Sequence, residues 1–518
     1  MITANEEHLL PIPPGLLDKT DMRVQEMIHG HRFIPEQEPF MIVLETLSIC
    51  TGIPIGTFTA TENLHESIEY ELKHRKKMRH LVFQDNALER IAADERIADE
   101  EKWRSWKSHA EKAYGHVGAF DYLDVVFGSQ IEKLLQAVRV LRSMEVDPDN
   151  SRRWTSRFLA VTGPDLICND LKEDASGSWS PDRRFFGRGG ELVYLMLNRS
   201  KHAPEVRAKV DARLLNPDDP VNRVAKALCD PSETFSSRTK LGYLPYLMQP
   251  SYDRMAQDWL GVLGTERLPN GHLFEPLFRI TALNLLVYLS EREASETGDP
   301  AREPIVLDMT DGRDKQLLQC CRAHLNRHRA AANRAVQSYV DRCLSENVHW
   351  IHGVKKGDSG SIRKAFEECF DYIINYPTIG DPSKVKREFV DNAISRDKNN
   401  AFTYILPLTK NSGLVAARRR VGTWFAASDA MIFAMVLSNV AGTVELRDFV
   451  SRLHDRYGIV IGPEEARKEF ERPPVGVASF ERNLAALEHR MTRMSLTQRL
   501  SDDCAFVTNP YRQAPHAS

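Results

Sequence analysis

Along most of this chain the apolar residues recur at helical spacing, and alternating runs are rare. Residues 39–49, PFMIVLETLSI, are apolar at nearly every position, the pattern of a buried helix. Residues 62–114 are dominated by charge with few breakers, which predicts long solvent-facing helices; Trp103 and Trp106 sit at the i,i+3 spacing that puts both on one face. Ile131, Leu134, Leu135, Val138 and Leu141 predict an amphipathic helix over 129–144, stopped by VDPDN. Gly, Ser and Pro mark loops at 174–190, 215–221, 295–304, 353–361 and 376–384. Helix-period segments lie between them, with one strand candidate at Ile305, Val306 and Leu307.

The C-terminal pattern is the most legible. Thr443 suits a helix N-cap, followed by Leu446, Phe449, Val450, Leu453 and Tyr457 on one face and by Gly458 as a stop. Ile459, Val460 and Ile461 predict a short strand, and Pro463 opens a short helix with Glu464 and Glu465 in its first turn. Phe480, Leu484, Leu487, Met491 and Met494 form the stripe of a longer helix, and TQRLSDDCAFVTNP has the form of a hairpin turning at Asp502-Asp503. Helix, strand, helix, helix and hairpin is the winged-helix order. The expected fold is therefore mainly α. It comprises an N-terminal helical region (1–145), a central helical domain (150–424) and a winged-helix domain (425–518).

Charge narrows the function. Lys and Arg number 69 against 72 Asp and Glu, a net of −3, so any polyanion must be met by a local patch. The eight cysteines are scattered without a CxxC pair, which predicts free thiols in a reducing, cytoplasmic setting. Residues 274–289 are the most apolar stretch but contain Glu275, Pro276 and Arg279, so they predict a buried core helix and no membrane association.

Two basic surfaces are candidates for nucleic acid. The helix over 480–496 offers Arg482, Ala486, His489, Arg490 and Arg493 opposite its apolar stripe, with Arg499 on the following hairpin; arginine suits phosphates and guanine edges. The helix predicted over 313–344 carries seven Lys and Arg against Asp314 and Asp341, with Arg322, Arg327 and Arg329 clustered in RAHLNRHR. The competing reading of that cluster is a solvated face pairing with acids elsewhere. The same caution covers KHRKKMRH (73–80) and ARRRVG (417–422).

Catalytic motifs are incomplete. Arg75 and His80 match an R-x4-H pattern of helical ribonucleases, but only two positions of it are informative. Asp308 and Asp311 follow the strand candidate and could hold Mg²⁺, although a structural turn with a capping Asp is the better account. GRGG (187–190) precedes a helix but lacks the Lys-Ser/Thr ending of a phosphate loop. His29, His31 and Glu36, and likewise His349 and His352, lack a matching partner pair, so neither a metal nor a cofactor is expected.

The ending SDDCAFVTNPY and the stretch FFGRGGELVYLML resemble segments of uncharacterised winged-helix-ending bacterial proteins encoded beside ATPases in phage-defence gene clusters. That resemblance implies an accessory subunit that touches double-stranded DNA or a partner ATPase. The expected function is a non-enzymatic DNA-associated component of a defence or DNA-processing complex. A divergent metal-dependent nuclease and a docking scaffold are the alternatives.

Overall fold

The computed structural model describes residues 20–30, 41–57, 69–146, 153–173, 179–181, 189–233, 236–241, 244–299, 301–375, 379–397, 403–499 and 504–512. The chain is mainly helical, as its periodicity predicts. Helix α1 (Met41–Gly52) packs on helix α2 (Gly189–Arg199), and both are buried almost all round. They touch at Gly190, where a Cβ would fall 2.5 Å from that of Glu45. Helix α3 (Pro250–Leu263) lies beside α2 and helix α4 (Phe274–Thr297). From Phe274 to Ser290 every residue of α4 but Glu275 and Arg279 is buried, so that stretch is enclosed on nearly all sides. Among the described residues only Asn270–Thr297 is long and apolar enough to cross a membrane, and 89% of its apolar window is buried inside the protein.

Strand β1 (Ile305–Val306) leads through a tight turn into the 32-residue helix α5 (Lys315–Glu346). The Asp314 carboxylate caps α5 by accepting from the amides of Gln316 and Leu317, so Arg313, expected inside the helix, stands just ahead of it. Strands β2 (Val415–Arg418) and β3 (Gly422–Phe425) form a hairpin against α5. Helix α6 (Asp429–Asn439) follows, capped by the Ser428 hydroxyl.

The C-terminal segment comprises β4 (Thr443–Glu445), α7 (Leu446–Tyr457), β5 (Ile459–Val460), α8 (Pro463–Glu469), α9 (Val477–Arg493), β6 (Thr497–Arg499) and β7 (Ala505–Thr508). Thr443 is not a helix cap: the β-branched pair Thr443 and Val444 runs extended against Thr508 and Val507, and α7 starts only after Glu445. The sheet order is β4-β7-β6, all antiparallel, and the Asp502-Asp503 turn lies outside the described residues. Strand β5 leaves that sheet and pairs in parallel with β1, a contact that local pattern does not reveal.

Among the described residues three apolar cores result. The largest draws residues from Met41 to Val507, including the stripes of α7 and α9. A second, from Met78 to Cys229, contains Trp103 and Trp106, only 3% and 0% exposed. The helix Asp99–Tyr114 is solvent-facing over most of its surface, as expected, and is docked along the one face that carries both rings; Trp103 and Trp106 donate to Asp124 and Asp85, each at 2.6 Å. The third core joins helix Thr20–His29 to the far end of α5 and the helices that follow it. All eight cysteines are free.

Candidate nucleic-acid interface

The turn after β1 is built by Asp308. Its backbone pairs with β3 through an amide donated to the Phe425 carbonyl at 3.1 Å. Its buried carboxylate accepts from the Thr310 amide and hydroxyl at 2.7 Å each, from the Gly312 amide at 2.6 Å and from Trp424 Nε1 at 3.0 Å. Those bonds bend the chain sharply enough that Asp311 and Gly312 both adopt positive φ, 56° and 74°. Asp308 is therefore spent on the turn, while Asp311 is exposed.

Helix α9 is held against this turn by its apolar stripe and by Asn483, which is 0% exposed. Its amide donates to the carbonyls of Leu307 and Ile461, and its oxygen accepts from the Met309 amide. Between turn and helix runs an open groove of about 770 Å³. One wall is 309–316, at the N-terminus of α5; the other is the α9 face carrying Arg482, Ala486, His489, Arg490 and Arg493. The face picked out from the sequence is thus the cationic wall of a real concavity.

Not all its cations are available. Arg482 donates to Asp314, and Arg490 is paired with Asp429 at 2.7 Å from Nε. Burial alone would raise the Asp314 carboxyl, but hydrogen bonds from Arg482 and the Leu317 amide hold it below the ordinary carboxylate value. Arg493, Arg313, Lys315 and His489 are exposed and pair with no described acid. The groove consequently keeps a positive excess on a chain that is near neutral.

The other predicted positions fall elsewhere. Arg499 pairs with Glu488 at 3.7 Å and lines a separate hollow with Glu445 and Cys504. Arg327 meets Glu303 at 3.5 Å, and Arg329 is half-buried, donating to Asn326 and bordering a small cavity of about 20 Å³ beside His328. Along α5 the reading of cations paired with acids holds for Arg327, and for Arg334 and Arg342, which meet Asp299 and Glu296. Arg322 instead donates to the Val421 carbonyl at the β2–β3 turn, joining α5 to the ARRRVG run.

The remaining motifs are structural where they are described. Arg75 pairs with Asp165 at 2.9 Å, whereas His80 is buried among Tyr114, Phe120 and Trp154, and burial pushes its imidazole down to about 4. In the GRGG run, the Gly190 amide donates to the protein's own Glu45 carboxylate at 2.7 Å, filling the place an anion would take; residues 187 and 188 lie outside the described residues, as do His31 and Glu36. His349 pairs with Glu368. Among the described residues no three His, Cys, Asp or Glu side chains converge as a metal set.

Sequence reasoning missed Asn483 and the wall formed by Arg313 and Lys315. The first left a readable signal: a polar residue within the buried stripe, three positions after Phe480 and four before Leu487. No protein-family model matches the chain, and no curated protein matches it.

Proposed function

We propose that the chain is a non-enzymatic, DNA-associated accessory subunit of a bacterial defence or DNA-processing complex, and that its domain over 425–518 is a winged-helix module. The order of α6, β4, α7, α9 and the β6–β7 hairpin, with β5 and α8 inserted between α7 and α9 and with β4 joined to β7, supports the second part. In that frame α9 takes the place of the recognition helix. The observation that carries DNA association is the groove, where Arg313 and Lys315 at the N-terminus of α5 and Arg493 at the end of α9 stand exposed and pair with no described acid. The defence setting and an ATPase partner rest on the resemblance of SDDCAFVTNPY and FFGRGGELVYLML.

The test is fluorescence anisotropy with a labelled DNA duplex across a salt series. Wild type is expected to bind at low salt and to weaken steeply as salt rises. Replacing Lys315 and Arg493 with Glu, neither of which pairs with a described residue, is expected to abolish binding. Arg327→Gln, about 18 Å along α5 from Lys315 at 1.5 Å per residue, is expected to retain it. No binding by wild type, or full binding by the double variant, would sink the groove reading and leave a protein-docking scaffold in its place.

A further inference from the structure

The β2–β3 hairpin reverses through Arg418-Arg419-Arg420-Val421-Gly422, with Arg418 paired to Gly422. Turn chemistry favours Gly, Asn or Asp at such a tip, because one or more of its residues must take positive φ. Here Arg420 does so, at φ 68°. Three successive arginines therefore occupy a tight turn that neither backbone preference nor mutual repulsion favours. Strain of this kind persists where the surroundings hold it and clusters at binding sites.

Two hydrogen bonds aim the tip. Arg418 Nη1 donates to the Asp311 carbonyl at 2.8 Å, tying the hairpin to the groove wall, and Arg322 donates to the Val421 carbonyl from α5. Each spends an arginine on a backbone carbonyl, so no acid is brought in to neutralise the tip. Arg419 and Arg420 are exposed and bond to no described residue. The tip thus continues the positive excess of Arg313 and Lys315 across the 311–312 turn.

We propose that Arg419 and Arg420 form a second phosphate-binding element, gripping the backbone of a DNA duplex whose neighbouring phosphates are held in the groove. This rests on the reading of the groove as a DNA interface. Duplex backbone is the ligand that fits. Groove lining and tip contain no Trp, Tyr or Phe, so there is neither a stacking platform for unpaired bases nor an aromatic anchor of the kind protein interfaces centre on.

The test replaces Arg419 with Gln and Arg420 with Gly in the full chain, glycine being suited to the left-handed position. Anisotropy is measured with a labelled mixed-sequence duplex as salt is varied. The expected result is weaker binding and a salt slope shallower by about 0.9 for each phosphate that is no longer neutralised, with Tm unchanged or raised. Arg419→Gln alone, which leaves the strained position untouched, is expected to give half the slope change. Wild-type affinity and slope in the double variant overturn the tip and leave the groove reading standing. Absence of binding by wild type at low salt overturns both. Tighter binding of a single-stranded oligonucleotide, or of a polyglutamate peptide, at the same salt overturns the duplex assignment.

Discussion

The oxygen of the Asn483 side chain accepts from the Met309 amide at 2.7 Å, and this bond sets the distance between the two walls of the basic groove. The same side chain donates to Leu307 and Ile461 at 2.8 and 3.0 Å, so one residue of α9 closes three backbone groups at the junction of β1 and β5. Asn483→Ala would orphan all of them in a fully buried place. The expected loss is about 1–3 kcal/mol for each group that water cannot reach, read from urea denaturation. A variant as stable as wild type would show that the clamp is redundant.

Leu487 tests the packing of the same helix from its apolar side. It is fully buried in the main core, which also contains Phe449, Val450 and Leu453 of α7. Leu487→Ala is expected to cost about 2–5 kcal/mol. Leu484, only partly buried at the core's edge, should cost clearly less on the same substitution. Equal losses at both positions would contradict the burial difference.

How far the groove was legible follows from these residues. Period and stripe disclosed α9, α7 and the closing hairpin, because each buries one face against its neighbours and local spacing records that. They also disclosed the cationic face of Arg482, Arg490 and Arg493. What they could not disclose is the pairing of Ile305 with Ile459 and Val306 with Val460, which brings the turn after β1 beneath α9 from more than 150 positions away. Without that pairing Arg313 and Lys315 read as part of a helix face, and Asp314 as a stray acid rather than the cap and partner of Arg482. Charge composition read true for the helix Asp99–Tyr114, which is acidic and basic along its exposed length and buries only the face of Trp103, Trp106 and Ala110.

Asp308 separates the structural account of the turn from a nuclease account. Its carboxylate holds Thr310, Gly312 and Trp424 at once. Asp308→Ala is expected to destabilise the fold by several times the roughly 1 kcal/mol net value of an ordinary hydrogen bond, since buried donors are left unpaired. Nucleic-acid hydrolysis with Mg²⁺ or Mn²⁺ by wild type, abolished by Asp311→Asn at unchanged stability, would reinstate the nuclease.

Two histidines give the pH dependence of stability opposite slopes. His454 of α7 shares a hydrogen bond with Glu469 of α8 at 3.0 Å, which raises its imidazole above the ordinary value against the opposing pull of burial. A base held above its unfolded pKa contributes fully below that value, about 6.5, and loses the contribution as pH rises through the folded pKa. His80 works in the other direction. Enclosed by Tyr114, Phe120 and Trp154, it is pushed down to about 4 by burial. Between about 6.5 and about 4 the unfolded chain takes up a proton there that the folded chain refuses, so stability falls with acidification. His454→Gln should therefore flatten the decline on the alkaline side of about 6.5, and His80→Phe, which keeps an aromatic ring in the box, should flatten the decline on the acid side. Urea midpoints collected from about pH 4 to about pH 8 distinguish the two. An acid limb unchanged by His80→Phe would mean that another group carries it, with the equally depressed His74 and His328 next in order.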